Sequence, residues 1–193
     1  MISARRMNDG LASVATCAPV HRLPFSLPMQ VDRLFNGAVA GFTATIPMTV
    51  VMLTLHRRAL PARQRFPLPP RRITMRAAGK ARVRNRMDEP QRTAATYAAH
   101  FGYGTATGAV YGALAPAVPG NPLVKGTSYG LIVWALSYLG LLPLLDLHRP
   151  ATREPAGRNA LMILAHVVWG AALGALTDQI ARGNRRLRPI GAR

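Results

Sequence analysis

Acidic residues are scarce in this chain: seven Asp and Glu stand against 25 Lys and Arg over 193 residues. None of the seven falls in the middle of an apolar run, which argues against a carboxylate-driven proton or sodium carrier. Cysteine is rarer still. Cys17 stands alone, so an intramolecular disulfide and a thiolate metal cluster are both excluded. No nucleophilic triad, Walker loop, dinucleotide fingerprint or acid pair appears, and no enzymatic activity, metal or cofactor is expected. Lysine is confined to Lys80 and Lys125, and this arginine bias beside abundant alanine suggests a bacterium of high genomic GC content. The first 30 residues lack the apolar core of a signal peptide; Met7 and Met29 are alternative starts.

A formal charge of +18 usually marks a nucleic-acid partner. Here 49% of the residues are hydrophobic and mean hydropathy is positive at +0.11, so a nucleic-acid partner is not expected. Charge and apolarity are segregated along the chain. No Asp, Glu, Lys or Arg occurs in 34–55, 93–124, 126–145 or 159–177. About 20 apolar residues cross a bilayer as a helix, whereas a buried helix of a soluble bundle keeps a charged outer face. The expected fold is therefore all-α: an integral membrane four-helix bundle within 34–181, with spans at about 34–55, 93–117, 125–145 and 159–180. A polar, disordered N-terminal tail (1–33) and a basic C-terminal tail (182–193) flank it. Pro47 interrupts the first span, and Thr43 or Thr45 is expected to satisfy the freed groups.

The loop 57–92 carries 12 basic residues. Its proline-free part, 71–86, reads either as a basic interfacial helix on anionic lipid or as a solvated loop. The loops after the first and third spans hold 15 basic residues and the remaining segments 10. The positive-inside rule then puts loop 57–92 in the cytoplasm of a bacterial inner-membrane protein.

An internal repeat divides the bundle. Glu89-Pro90, Arg92, His100, Gly104 and Gly108 are echoed by Glu154-Pro155, Arg158, His166, Gly170 and Gly174, at a constant offset of 66 from the arginine onward. Leu34, Gly37 and Gly41 match Leu123, Gly126 and Gly130 more loosely. Two tandem pseudo-symmetric helical hairpins are expected, related by an axis along the membrane normal. Glycines four apart line one helix face: Gly37/Gly41, Gly104/Gly108/Gly112, Gly126/Gly130 and Gly170/Gly174. Such faces let helix backbones approach closely in lipid.

His100 and His166 lie eight residues past an arginine, about 12 Å into the bilayer at 1.5 Å per residue. His56 and His148 end the first and third spans on the same side. Two readings stand: neutral histidines bonded across helix contacts, or a proton, pH or ligand site; paired histidines also suit haem. Arg149, Arg153, Glu154 and Arg158 crowd the loop before the last span, where they lock the hairpin or bind lipid phosphate. Lipid is the expected partner, with a second copy of the chain as a further candidate.

Four stretches carry a family likeness: Gly37-x3-Gly41, the 67–71 Pro-Leu-Pro-Pro-Arg run, the 100–104 His-Phe-Gly-Tyr-Gly run and the 147–155 Leu-His-Arg-Pro-Ala-Thr-Arg-Glu-Pro run. Over roughly residues 30–180 the chain resembles uncharacterised bacterial inner-membrane proteins similar to YagU. The resemblance implies a small multi-pass membrane protein without assigned activity. A small transporter or channel linked to acid stress is the alternative function, and a haem- or metal-binding membrane protein is a second.

Overall fold

The computed structural model describes residues 27–187. Cys17 and most of the expected N-terminal tail lie outside them, as does the C-terminal tail from residue 188. Every regular element among the described residues is helical. The helices are α1 (Leu27–Arg58), α2 (Pro69–Lys80), α3 (Glu89–Leu114), α4 (Pro122–Ala135), α5 (Leu142–Leu144) and α6 (Ala156–Leu187). A π-helical segment, Leu136–Leu141, joins α4 to α5, so the three form one rod. Residues 27–33, expected in a disordered tail, are instead the first two turns of α1.

Helix starts follow the local chemistry. Asp88 and Gln91 form a reciprocal capping box at α3, which satisfies two orphan amides. Asn121 accepts from the Leu123 amide with Pro122 at the first position of α4, where the missing N–H costs nothing. Pro47 does not break α1. The threonine hydroxyls do not serve the Thr43 carbonyl as expected. Thr43, Thr45 and Thr49 donate instead to Val39, Gly41 and Thr45 carbonyls, each four residues back, the ordinary reach of a helical threonine.

The distribution of side chains is inside-out relative to a soluble bundle. Ala40, Ala44, Met48 and Met52 of α1 are buried, while Val31, Phe35, Val39, Phe42, Ile46 and Val50 are exposed. The exposed set recurs at three- and four-residue steps, so one long stripe of large apolar side chains faces outward. Gly37, Ala40, Gly41 and Ala44 face in, and such small residues let helices approach closely in lipid. Among the described residues three helical rods are long and apolar enough to cross a membrane: Gln30–Arg58, Pro122–Leu144 and Ala156–Asn184. The expected second span, now α3, is 26 residues long and about 39 Å at 1.5 Å per residue, but its composition is less apolar. It carries His100, three tyrosines and many Gly and Thr.

α1 packs along α3, α4 along α6, and α1 along α6, whereas α3 and α4 barely touch. At the first crossing, a Cβ on Gly41 would strike the Gly104 carbonyl and reach the Gly108 Cα at 2.8 Å. At the second, a Cβ on Gly126 would strike the Gly170 carbonyl and reach the Gly174 Cα at 2.8 Å. Gly126 thus stands where Gly41 stands, not where Gly37 does. The expected Gly37–Gly126 equivalence is one helical turn out. Glycines every four residues allow that slip, because moving by one turn still matches glycine to glycine.

The stretch 57–92 contains a helix, α2, that ends earlier than the proline-free run. Arg82 adopts φ 59°, and the Val83 and Arg82 amides close back on Ala78 and Gly79 carbonyls. This is a left-handed helix stop without its usual glycine. The apolar side of α2 does not meet open surroundings: Pro69 is buried, and Leu68 and Ile73 pack on the core of the bundle. Its cations are held by acids of other elements. Arg71 forks onto Glu89 at 2.6 and 2.8 Å, Arg72 meets Glu154 at 3.0 Å, and Arg76 meets Asp146 at 2.6 Å. Lys80 donates to the Leu145 carbonyl at 2.9 Å. α2 lies across the loop end of the bundle as a cap.

A candidate ligand cavity between α3 and the α4 rod

Because α3 and α4 diverge, a cavity of about 310 Å³ opens between them. That is at the lower end of small-molecule sites, which run from roughly 300 to 1,000 Å³. α1 and α6 form its back through Thr45, Met48, Met162 and Trp169, and α2 closes its loop end with Pro70, Ile73 and Thr74. Ala99 and Tyr103 of α3 and Leu141 and Leu145 beyond α4 are exposed lining residues, so they form the rim. The rim lies on the outward side of the bundle, which the membrane reading assigns to lipid. Most of the lining is apolar, and no Asp, Glu, Lys or Arg contributes to it.

His100 and His166 line this cavity together, from α3 and α6. The His166 Nδ1 lies 2.7 Å from the Met162 carbonyl; a carbonyl only accepts, so Nδ1 carries the proton. His100 Nε2 is buried without a hydrogen-bond partner. The π-helical segment sits on the opposite wall and brings Ser137 and Tyr138, both buried, to the cavity. π-turns are rare and cluster at functional sites. Ser137 Oγ bonds Tyr103 Oη at 2.7 Å, and Tyr129 Oη donates to the Thr107 carbonyl at 2.8 Å. These bonds tie α3 to the α4 rod across a gap that backbone packing leaves open.

His56 and His148 do not join the other two. They lie near a second cluster at the loop end, built on Arg158. Its guanidinium donates to the carbonyls of Gln64 and Phe66 at 2.9 and 3.0 Å and of Pro67 at 3.0 Å, and it lies 3.7 Å from the Phe66 ring centroid. Glu154 accepts from Arg72 at 3.0 Å and faces Arg158 Nε at 3.5 Å. Arg158 therefore holds the 57–92 segment against the start of α6. Arg149 and Arg153 are exposed. His148 Nδ1 lies 2.8 Å from the Arg149 carbonyl. Burial pushes the His148 imidazole below its ordinary value, opposed by that backbone bond and assisted by Arg72. The Tyr138 ring stands edge-on to both His148 and His166, with centroids 5.5 and 6.0 Å away, and so bridges the two clusters.

The glycines sit at the two crossings: Gly37, Gly41, Gly104, Gly108 and Gly112 between α1 and α3, and Gly126, Gly130, Gly170 and Gly174 between α4 and α6. No group of three or more His, Cys, Asp or Glu gathers as a metal site among the described residues. Sequence reasoning did not single out Ser137, Phe66 or Arg72, and read Tyr103 only as a span aromatic within the 100–104 run. The π-turn that presents Ser137 leaves no periodic signature, and the Arg72 and Phe66 contacts join segments far apart in the chain.

A family model described as a family of unknown function (DUF6789) matches residues 31–187. The chain belongs to the DUF6789 family. Neither the curated proteins nor the solved structures contain a match. The DUF6789 match covers every helix described above from its fifth residue of α1 onward, and thus both clusters and both glycine crossings. No named relative ties this DUF6789 member to YagU-like proteins in particular.

Proposed function

We propose that this DUF6789 protein is a non-enzymatic, four-span protein of a bacterial inner membrane that holds an amphiphile drawn from the bilayer. In this reading α1, α3, the α4 rod and α6 are the spans, arranged as two tandem helix pairs that arose by duplication. The single observation that carries the binding function is the uncharged cavity between α3 and the α4 rod, whose rim lies on the outward, apolar side. The like construction of the two crossings supports the duplication. So does the way neighbouring Arg71 and Arg72 reach the repeated glutamates, Glu89 and Glu154. Kinship with YagU-like proteins, anionic lipid at the basic cap and association with a second copy belong to the same proposal.

The test is extraction and mass spectrometry of small molecules that stay with the protein purified in mild detergent. The wild type is expected to carry a stoichiometric amphiphile, and Ala99→Phe, which narrows the exposed rim, to carry much less. Identical extracts from the two proteins would overturn the binding reading.

A second reading, a small transporter for protons or a small solute, is favoured by one observation: Tyr138 edges both His166 and His148 and so links the cavity to the loop-end cluster. Proton flux in liposomes that His100→Ala/His166→Ala abolishes would favour it over simple binding.

A further inference from the structure

The cavity is selective in the kind of head group it can receive. No charged side chain lines it, so an ionised carboxylate or phosphate entering it would lose water without gaining a counter-charge. The Met162 carbonyl takes the Nδ1 proton of His166, which leaves Nε2 of the neutral ring as a lone-pair acceptor. His100 Nε2 lies buried with nothing bonded to it, and a buried polar atom without a partner is uncommon in a finished fold. The hydroxyls of Tyr103 and Ser137 bond each other, and those of Thr45, Thr74 and Thr107 donate to the Gly41, Pro70 and Tyr103 carbonyls; the Tyr138 hydroxyl, whose residue also lines the cavity, is not among them. What the cavity offers a guest is thus an apolar wall, imidazole nitrogen and the Tyr138 hydroxyl.

We infer that the cavity takes a neutral, hydroxyl-headed amphiphile, its hydroxyl donating to His166 Nε2 while its chain lies against Met48, Leu141, Leu142 and Met162. The inference rests on the binding reading above and narrows it to one head-group chemistry. His100, on the facing helix, supplies a second nitrogen within the same cavity. A molecule with the same chain but an ether head fills the same space and has no proton to donate to His166 Nε2.

Trp169 lines the cavity and Trp134 does not, so a bromine-bearing guest reports itself by quenching Trp169 fluorescence. The experiment uses the full chain in mild detergent with Trp134→Phe as background. The probes are 12-bromododecanol, its methyl ether and 12-bromododecanoate at a pH where it is ionised. The alcohol is expected to quench saturably, the ether roughly three- to tenfold more weakly, in line with one net hydrogen bond, and the carboxylate most weakly. His166→Leu should bind alcohol and ether alike, and His166→Gln, which keeps an acceptor oxygen, should restore part of the preference. Equal binding of alcohol and ether by the unsubstituted cavity, or tighter binding of the carboxylate, would overturn the head-group inference and leave the binding reading standing. Absence of saturable quenching by all three probes would sink both. The wild-type comparison decides even if His166→Leu fails to fold.

Discussion

Arg158 is 3% exposed and occupies three backbone carbonyls, one aromatic face and one carboxylate. Each partner depends on the planar fork of guanidinium donors, which no other side chain supplies. Removing it leaves Glu154 short of a partner and frees the carbonyls of Gln64, Phe66 and Pro67 in a buried place. Breaking a buried pair from one side costs roughly 3–5 kcal/mol. Arg158→Met is accordingly expected to lower the thermal midpoint of the detergent-solubilised protein strongly, with loss of protection of the 57–68 segment in limited proteolysis. Arg149→Met and Arg153→Met, at exposed positions, should stay within about 0.5 kcal/mol of wild type. Equal damage from all three would mean that the cluster acts through its summed charge and not through this fork. Part of this was legible in the sequence. Glu154 and Arg158 stand four apart, a spacing that pairs on a helix. The carbonyl partners were not legible, because they lie more than 90 positions earlier and offer only backbone, which every residue has.

Helix crossings put the same question at a larger scale, since here backbone meets backbone. At Gly41, Gly108 and Gly126 an added methyl runs into main-chain atoms of the facing helix, which cannot move aside as a flexible side chain can. Gly79, Gly102 and Gly140 have nothing within 4 Å of an added Cβ. Gly41→Ala and Gly126→Ala are expected to force the pairs apart at a cost near the upper end of overpacking, about 3 kcal/mol. Gly79→Ala, in the last turn of α2, should instead stabilise by about 0.4–1 kcal/mol through the lower entropy of the unfolded chain. Circular dichroism melts of the three variants check this. A Gly41→Ala midpoint equal to wild type would show that the α1–α3 contact is looser than described. The glycine faces could be read from sequence because their spacing matches the helical period. Their register could not, because a four-residue repeat looks the same after a slip of one turn. The broken rod between α4 and α5 was equally hidden, since a π-turn adds one residue without changing composition.

For the whole molecule, the four-span proposal turns on whether α3 crosses with the other rods. α3 falls short of the apolar composition of the other rods, yet its sequence has a reason for this. Gly104, Gly108 and Gly112 serve the crossing with α1, and His100, Tyr103 and Thr107 line the cavity. A hydropathy average counts every one of those residues against a span, although of them only Tyr103, at the cavity rim, is exposed. The exposed positions of α3 include Val110 and Leu114, Tyr97 toward the loop end and Tyr103 at the cavity rim, which suits a helix whose outer side meets acyl chains with Tyr97 toward one interface. If α3 crosses, the α2 cap and the turn at 115–121 lie on opposite faces of the membrane. The orientation proposed from the arginine count puts the cap inside. In a Cys17→Ser background, Arg86→Cys should resist a membrane-impermeant maleimide in intact cells and react after lysis. Val118→Cys, exposed at the far turn, should react in intact cells. Labelling of both from the same side would mean that α3 lies within one face and that three rods span. The cavity between α3 and the α4 rod would then open to water instead of lipid, and an amphiphile from the bilayer would have no route to His166.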